Sequence, residues 1–471
     1  MGVNRQIIHR KLRGAPAVPK KERKVEAPPI DPAIIKAIER AQCDVIIKNL
    51  ETVHPNMDLI QKMIKITENY IKEHKRIVYG GTAIEAYLEA KGVKIQHDPS
   101  KYLDYDFYTP NNEYDSIAIA NLFQEAGFKY SRRVLAIHHG TYRVSAEFTR
   151  EFIADATFVP EKVYKDLPKC EINGIYYIDP QFLKIDLYTS VSNPHTNVFR
   201  WEKSYKRLIQ LEALYPLPKA EPIKVPDTEL PTIEEALVLE KYSKNNKDII
   251  IIGTQGYNLY MKTVKIPFKR SVLKEQNTNS GTNKVSSFEP VITYSFYALD
   301  PIKEAKKIQK KLGKDYSISN HQPYLDIFSK HTKLKNKKGQ VIAEWYDISN
   351  DCIAITEINR HYIANYHWEL RFLYGKYSIS EINDKKRKEY YSYLIQSLIN
   401  AYNTYHKSKI LHKRDVNNPF KIFQTDCVKH ETPQVIGKKR IVNWSYQPDK
   451  EKKDPNTVKT EYENDMLGEE I

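Results

Sequence analysis

The sequence predicts an α/β (α+β) fold with a mixed sheet, and three observations predict it. The hydrophobic period switches from helical to β-like and back within residues 58–92. Short β-rich runs separated by turn signals follow between residues 103 and 158. A strand–turn–helix pattern then returns at residues 248–261. In chain order, DLIQKMIKITENYIKEH at 58–74 places Ile60, Met63, Thr67, Tyr70 and Ile71 on one helical face. Arg76 to Tyr79 is β-rich and closed by Gly80-Gly81. Thr82 is a good N-cap for a helix with the stripe Ala83, Ile84, Tyr87 and Leu88, ending near Gly92. Leu103 to Tyr108 reads as a strand stopped by Pro110, 113–126 as a helix, and 128–158 as three strands. FRWEKSYKRLIQLEAL at 199–214 is an amphipathic basic helix, Pro216 to Pro231 a proline-rich connector, and 276–287 a polar loop. Residues 360–374 and 385–405 read as aromatic-rich helices of a second large domain.

The chain has 471 residues, room for two to three domains at about 150 each. Such a length needs no disulfide or metal staple to fold. Lys and Arg number 74 against 59 Asp and Glu, a net charge of +15, which favours a polyanionic partner, nucleic acid first. No apolar run approaches the roughly 18 residues of a membrane span. The start, MGVNRQIIHRKLRG, lacks a signal-peptide core, and Gln6 stands where a myristoylation signal wants Ser or Thr. Secreted and integral-membrane classes are therefore set aside. Cys43, Cys170, Cys352 and Cys427 are scattered without a Cys-x-x-Cys pair, which predicts reduced thiols. The expected organisation is a disordered basic arm (1–32), an N-terminal helical region (33–75), a first domain (76–215), a connector (216–245), a second domain (246–445) and a disordered acidic tail (446–471).

The chemistry concentrates in three strand acids. Asp104 and Asp106 flank Tyr105, and residues i and i+2 of a strand face the same side about 6.6 Å apart. Two carboxylates so placed repel unless a cation sits between them, and hard oxygen donors suit Mg²⁺ or Mn²⁺. Two such ions about 3.5–4 Å apart activate an attacking hydroxyl and stabilise a leaving oxygen in phosphoryl displacement. Asp155, on a later strand, is the candidate third ligand. Gly80-Gly81 lets backbone approach a phosphate, the following helix offers free N–H groups, and the Thr82 hydroxyl could donate to a terminal phosphate. Asp-x-Asp or Gly-Gly alone says little; their order along strands and helix says much more. Arg200, Lys203 and position 207 share one face of the basic helix, placed either to meet triphosphate or RNA phosphates or to face solvent. Trp201 and Tyr205 read as core. Arg143 points into a cleft or makes a buried ion pair. His138 and His139 face opposite ways on a strand and share no ion.

These residues carry a resemblance. Gly80-Gly81 followed by Asp104-Tyr105-Asp106 is similar to the signature of the polymerase-β-type nucleotidyltransferases. Ile77-Val-Tyr-Gly-Gly-Thr-Ala-Ile84, Asp104-Tyr-Asp-Phe-Tyr-Thr-Pro-Asn111, Ala136-Ile-His138 with Tyr142-Arg-Val144, and Ala154-Asp-Ala-Thr-Phe-Val-Pro160 resemble the poly(A) polymerases of large cytoplasmic DNA viruses, of poxvirus, asfarvirus and giant-virus type. The likeness is densest over 76–215 and persists in Phe372-Leu-Tyr-Gly375. The 22 residues between Gly81 and Asp104 exceed the usual superfamily spacing but suit the viral branch. The resemblance implies a catalytic nucleotidyltransferase domain at 76–215 followed by a degenerate nucleotidyltransferase-like domain. It implies that Asp104, Asp106 and Asp155 hold two Mg²⁺ or Mn²⁺ ions, that Asp155 draws the proton from the RNA 3′-hydroxyl, and that Gly80, Gly81 and Thr82 cradle the triphosphate of ATP. The function so implied is template-independent addition of AMP to the 3′-end of single-stranded mRNA. A single-addition transferase acting on tRNA, protein or a small molecule, or a non-catalytic RNA-binding scaffold, are the alternatives. Poxvirus relatives recruit a cap-methylating processivity subunit; for this chain a homodimer or a subunit of that kind is the expected partner, with no membrane partner. The implied location is the cytoplasm, in a viral factory or virion.

An internal duplication is also expected. DIIIIGTQGYNLYM at 248–261 echoes RIVYGGTAIEAYL at 76–88, with Tyr260 at the offset of Tyr87. Leu325-Asp326-Ile327-Phe328 is matched to Leu103–Phe107; it keeps one acid and places Phe328 at the second, so the copy is expected to be catalytically dead and to serve RNA binding or dimerisation. Lysine clusters at 303–311 and 330–338, Lys385-Lys-Arg-Lys388 and Gly437-Lys-Lys-Arg440, near Tyr390, Tyr391 and Tyr393, suit single-stranded nucleic acid.

Overall fold

The computed structural model describes residues 57–93, 104–136, 140–147, 152–193, 197–264, 289–325, 327–348, 352–380, 384–407, 418–424 and 446–457. The basic arm, His138-His139, the loop at 276–287, Asp326, the 437–440 cluster and residues 458–471 lie outside them. The described elements belong to one compact unit, Asn56–Ile471.

Helix α1 (Met57–Glu73) buries its predicted face: Ile60, Met63, Thr67, Tyr70 and Ile71. Strand β1 (Ile77–Tyr79) follows, and Gly80 turns the chain at φ 70° into α2 (Gly80–Ala90), which has no side-chain cap. Thr82, expected as the cap, lies inside the first turn instead. The left-handed glycine makes the turn by itself, so the helix begins three residues earlier. Next come β2 (Tyr105–Thr109), α3 (Asn112–Glu125), β3 (Arg132–Leu135), β4 (Thr141–Ser145), β5 (Ala154–Phe158), a short α4 (Glu161–Asp166), the hairpin β6 (Lys169–Ile172) and β7 (Ile175–Ile178), α5 (Pro180–Ser192) and α6 (Trp201–Leu214). The sheet is seven-stranded, in the order β3-β4-β5-β2-β1-β7-β6. It is mixed, since β1–β7 and β2–β5 run parallel. Along β2, Tyr105, Phe107 and Thr109 are buried while Asp106 and Tyr108 face the other, half-buried side. Buried acids on α3 are paired: Asp115 accepts from Tyr70 Oη (2.6 Å) and Arg76 (2.8 Å), and Glu113 from Tyr142 Oη (2.7 Å) and Arg133 (3.1 Å).

The second half repeats the first. After α7 (Ile233–Ser243), closed by a Thr232–Glu235 capping box, come β8 (Ile249–Ile252), α8 (Gly253–Val264), β9 (Tyr294–Ala298), α9 (Pro301–Leu312), β10 (Ser317–His321), β11 (His331–Lys335), β12 (Val341–Asp347), β13 (Ile355–Ile358), β14 (His361–Ala364), α10 (Tyr366–Ile379) and α11 (Lys385–Lys407). Its sheet runs β10-β11-β12-β9-β8-β14-β13, the first sheet's order with every strand shifted by seven. Gly253 turns at φ 71°, as Gly80 does at 70°. Tyr87 and Tyr260 both donate to strand carbonyls, of Tyr177 and Ala364. The duplication is therefore one of topology. The match of Leu325–Phe328 to Leu103–Phe107 was misplaced: the counterpart of β2 is β9, and 325–328 lies in the β10–β11 connection. Strand pairing, not local wording, fixes the correspondence.

Two further expectations are corrected. Residues 446–457 were assigned to a disordered tail, yet Tyr446 is 5 % exposed and pairs antiparallel with Arg133 on the β3 edge. Its hydroxyl donates to Asn121 (2.7 Å), and Lys452 pairs with Glu125 (2.8 Å). One buried ring and a free sheet edge outweigh the polar composition. Cys352 is disulfide-bonded rather than reduced, while Cys170 is free and exposed. Scattered cysteines carry no spacing signal, so tertiary proximity alone decides pairing. Among the described residues, no helix is long and apolar enough to cross a membrane.

Candidate active site

Strand register brings the site together. Arg143 on β4 stands opposite Asp155 on β5, Asp155 opposite Asp106 on β2, and Asp106 opposite Tyr79 on β1. Four side chains thus form one row across the sheet, and Asp104 stands two residues ahead at the mouth of β2. Burial, then the carboxylates of Asp104, Asp155 and Asp186, hold the Asp106 carboxyl well above its usual range, against the pull of Arg143. Asp155 accepts from Arg143 Nε at 2.9 Å, and the Arg143 guanidinium lies 4.4 Å from the Phe152 ring.

Gly80 is required by its left-handed backbone and its neighbour, whereas Gly81 lies close to a side-chain end. A Cβ on Gly80 would overlap the Asp106 carboxylate, and one on Gly81 would meet the Arg207 guanidinium at 3.3 Å. Arg207 pairs with Glu85 of α2 at 2.7 Å. The Thr82 hydroxyl is directed to the Asp104 carbonyl (2.5 Å) and so ties the first turn of α2 to the mouth of β2. Lys203 is exposed, one turn before Arg207; burial, Arg207 and Arg200 push its ammonium down while Glu85 and Asp104 oppose them. Arg200 is exposed just ahead of α6. Trp201 and Tyr205, expected in the core, are half-buried and pack on the half-buried Phe423 at 5.2 and 5.1 Å.

Two residues enter that the sequence reading did not assign. Arg207 was noted only for its helical face. Asp186 lies on α5, exposed between buried Ile185 and Leu187, and its charge reaches Asp106. An acid inside the apolar stretch FLKIDLY was its visible signal.

Among the described residues, no three His, Cys, Asp or Glu side chains form a closed ligand cluster. Like-charged carboxylates repel, and Asp155 is turned to Arg143. The donor set still suits a hard divalent cation: carboxylates on adjacent strands, and a half-buried Asp106 whose raised carboxyl a cation would relieve.

The second copy shows what is lost. By register, Asp106 corresponds to Ser295, Asp155 to Glu344 and Arg143 to Lys333. Ser295 donates to Glu344 at 2.7 Å, and Lys376 of α10 pairs with Glu344 at 2.6 Å. Phe372, seven residues after the Asn365 cap as Asp186 is seven after Asp179, reaches toward Gly253 (3.1 Å from its notional Cβ). An ammonium and a phenyl ring fill the cleft, so this copy holds no cation site of the first kind. Burial raises the Glu344 carboxyl, but Lys376, His331 and Ser295 bring it down to about 2. Burial holds His331 down to about 4 against the pull of Glu344. Both values lie below the ordinary 4.5 and 6.5, so both contributions are complete above pH 6.5. They are lost on acidification, His331 between pH 6.5 and 4 and Glu344 between 4.5 and 2. Urea unfolding across pH 6.5 to 4 is expected to show falling stability. His331→Asn should flatten that slope; an equally steep slope in the variant would assign it to other groups.

A mixed sheet carrying strand carboxylates beside a glycine turn and a helix N-terminus, with a basic helix packed on that turn, resembles the arrangement of the polymerase-β-type nucleotidyltransferases. Residues 65–197 match the family model described as "Poly(A) polymerase catalytic subunit". An Acanthamoeba polyphaga mimivirus protein named for the poly(A) polymerase catalytic subunit is 25 % identical over 415 residues, covering 82 % of this chain and 70 % of the relative. An African swine fever virus protein of the same designation is 30 % identical over 211 residues, covering 44 % of this chain and 42 % of the relative, so the chain matches less than half of that protein's length. Among solved structures, the Megavirus polyadenylate synthase superposes with a TM-score of 0.69 at 19 % identity, over 91 % of this chain and 88 % of that one, and shares its fold.

Proposed function

We propose that the protein is a template-independent polyadenylate polymerase that adds AMP from ATP to RNA 3′-ends and releases pyrophosphate. The observation that carries this reading is the register of Asp106 against Asp155 beside the Gly80-Gly81 turn, within the span that matches the poly(A) polymerase family. Asp104, Asp106 and Asp155 hold divalent cations, Mg²⁺ or Mn²⁺. Two bound ions would ease deprotonation of the 3′-hydroxyl and neutralise the leaving pyrophosphate.

The chain's own residues do the rest. Asp155, oriented by Arg143, takes the proton of the 3′-hydroxyl. The free N–H groups at Gly80 and Gly81, at the positive end of α2, receive the triphosphate. Thr82 keeps that turn in register with Asp104. Arg207, Lys203 and Arg200 neutralise phosphate charge above it. RNA is held by exposed lysines, among them Lys303, Lys306, Lys310 and Lys311 of α9. A partner subunit or a second copy of this chain supplies processivity, and the viral relatives support action in a cytoplasmic viral factory.

Incubating 5′-labelled RNA with each nucleoside triphosphate singly, plus Mg²⁺ or Mn²⁺, is expected to give long tails with ATP alone. Equal tailing with all four, or products one nucleotide longer, would favour the single-addition reading.

A further inference from the structure

The two copies pack through the same helix. Asp179 caps α5 by accepting from Gln181 N (2.7 Å), and Asn365 caps α10 by accepting from Trp368 N (3.0 Å). Tyr188 stands nine residues after Asp179, and Tyr374 nine after Asn365. These counterparts stack on each other, ring centroids 5.5 Å apart and 26° from parallel. A residue that meets its own equivalent marks a two-fold interface, here internal to one chain. Around it, Trp368 Nε1 donates to the Ser192 carbonyl (3.2 Å) and Arg371 Nε to Thr189 Oγ1 (2.7 Å).

Helix α6 is tied to this axis through Glu212. Tyr188 Oη (3.0 Å) and Tyr374 Oη (2.7 Å) both donate to its Oε1, and fully buried Lys184 donates to its Oε2 (3.0 Å). Arg207 and Lys203 lie five and nine residues earlier on the same helix. A helix held at one place can still rotate and slide. Arg207–Glu85 pins α6 to α2, and Glu212 pins it to the second copy. Charge-assisted hydrogen bonds to a half-buried carboxylate such as Glu212 are directional, so they suit that task.

We propose that Glu212 is a positioning residue of the nucleotide site, and that the degenerate copy acts through Tyr374 to fix where α6 holds Arg207 and Lys203 over the triphosphate. This rests on the reading of Arg207 and Lys203 as triphosphate-binding. The second copy is thus a brace for the first, which accounts for its retained closing helix beside a filled cleft.

The test uses the full chain with Tyr374→Phe, Glu212→Gln and Arg207→Gln, measuring KM for ATP, kcat on an RNA primer and melting temperature. Tyr374→Phe keeps the ring stack and removes one hydroxyl. It is expected to raise KM for ATP about fivefold, with kcat within about twofold and the melting temperature unchanged. Glu212→Gln should raise KM further, and Arg207→Gln at least as much. If Arg207→Gln leaves KM unmoved, the triphosphate reading fails and the brace with it. If Arg207→Gln raises KM while the other two do not, the brace is overturned and the site stands. A fall in kcat and melting temperature with KM constant makes the tie merely structural and also overturns it. Should Glu212→Gln fail to fold, Tyr374→Phe decides alone.

Discussion

Asp106→Asn is expected to abolish tailing, by at least about a thousandfold, while the protein melts no lower than its parent. Asparagine keeps the shape of the side chain but removes the charge that would grip a cation. The same charge opposes folding, because burial and three neighbouring carboxylates hold the Asp106 carboxyl well above its ordinary range. A neutral amide relieves that repulsion. The two measurements, extension of labelled RNA and thermal melting, therefore separate in opposite directions. A lower melting temperature would make Asp106 a structural residue. Surviving activity would shift the reading to a scaffold whose acids do no chemistry.

Gly80→Ala is the second large effect, and it is expected to remove both activity and stability. The left-handed backbone at φ 70° costs an alanine about 1–2 kcal/mol by itself. The added methyl also overlaps the Asp106 carboxylate, so the acid row or the turn must move. Gly253→Ala supplies the comparison. It sits at φ 71° in the second copy, where its nearest neighbour is the Phe372 ring at 3.1 Å. It should cost stability but leave tailing per folded molecule intact. Full activity in folded Gly80→Ala would remove the turn from the reacting centre.

Much of this architecture is legible along the chain, and the rest is not, for identifiable reasons. The buried stripe of α1, the β1–glycine–α2 turn and the strand that carries Asp106, with Asp104 just ahead of it, follow from period and backbone sterics, which neighbouring residues decide. So does the echo at Gly253 and Tyr260, because the same turn needs the same glycine. Thr82 was given the cap by composition, yet a left-handed Gly80 makes that cap redundant. Arg207 was legible as one basic residue among several; only the packing of α6 on α2 sets it over Gly81. Asp186 was legible as an odd acid in an apolar helix, without any sign of what it faces.

By itself, then, the sequence determined the helical and strand periods, the two glycine turns, the acids in strands and the existence of a second copy. These depend on torsion angles and side-chain spacing within a few residues. The tertiary structure alone decided that β5 lies beside β2, so that Asp155 meets Asp106, and that β9 is the partner of β8, so that Ser295 and not Asp326 marks the lost site. It also decided that Tyr446 closes the β3 edge and that Tyr188 finds Tyr374. Those contacts join residues far apart in the chain, and their free energy comes from the pairing and burial of whole strands and helices, which no local window contains.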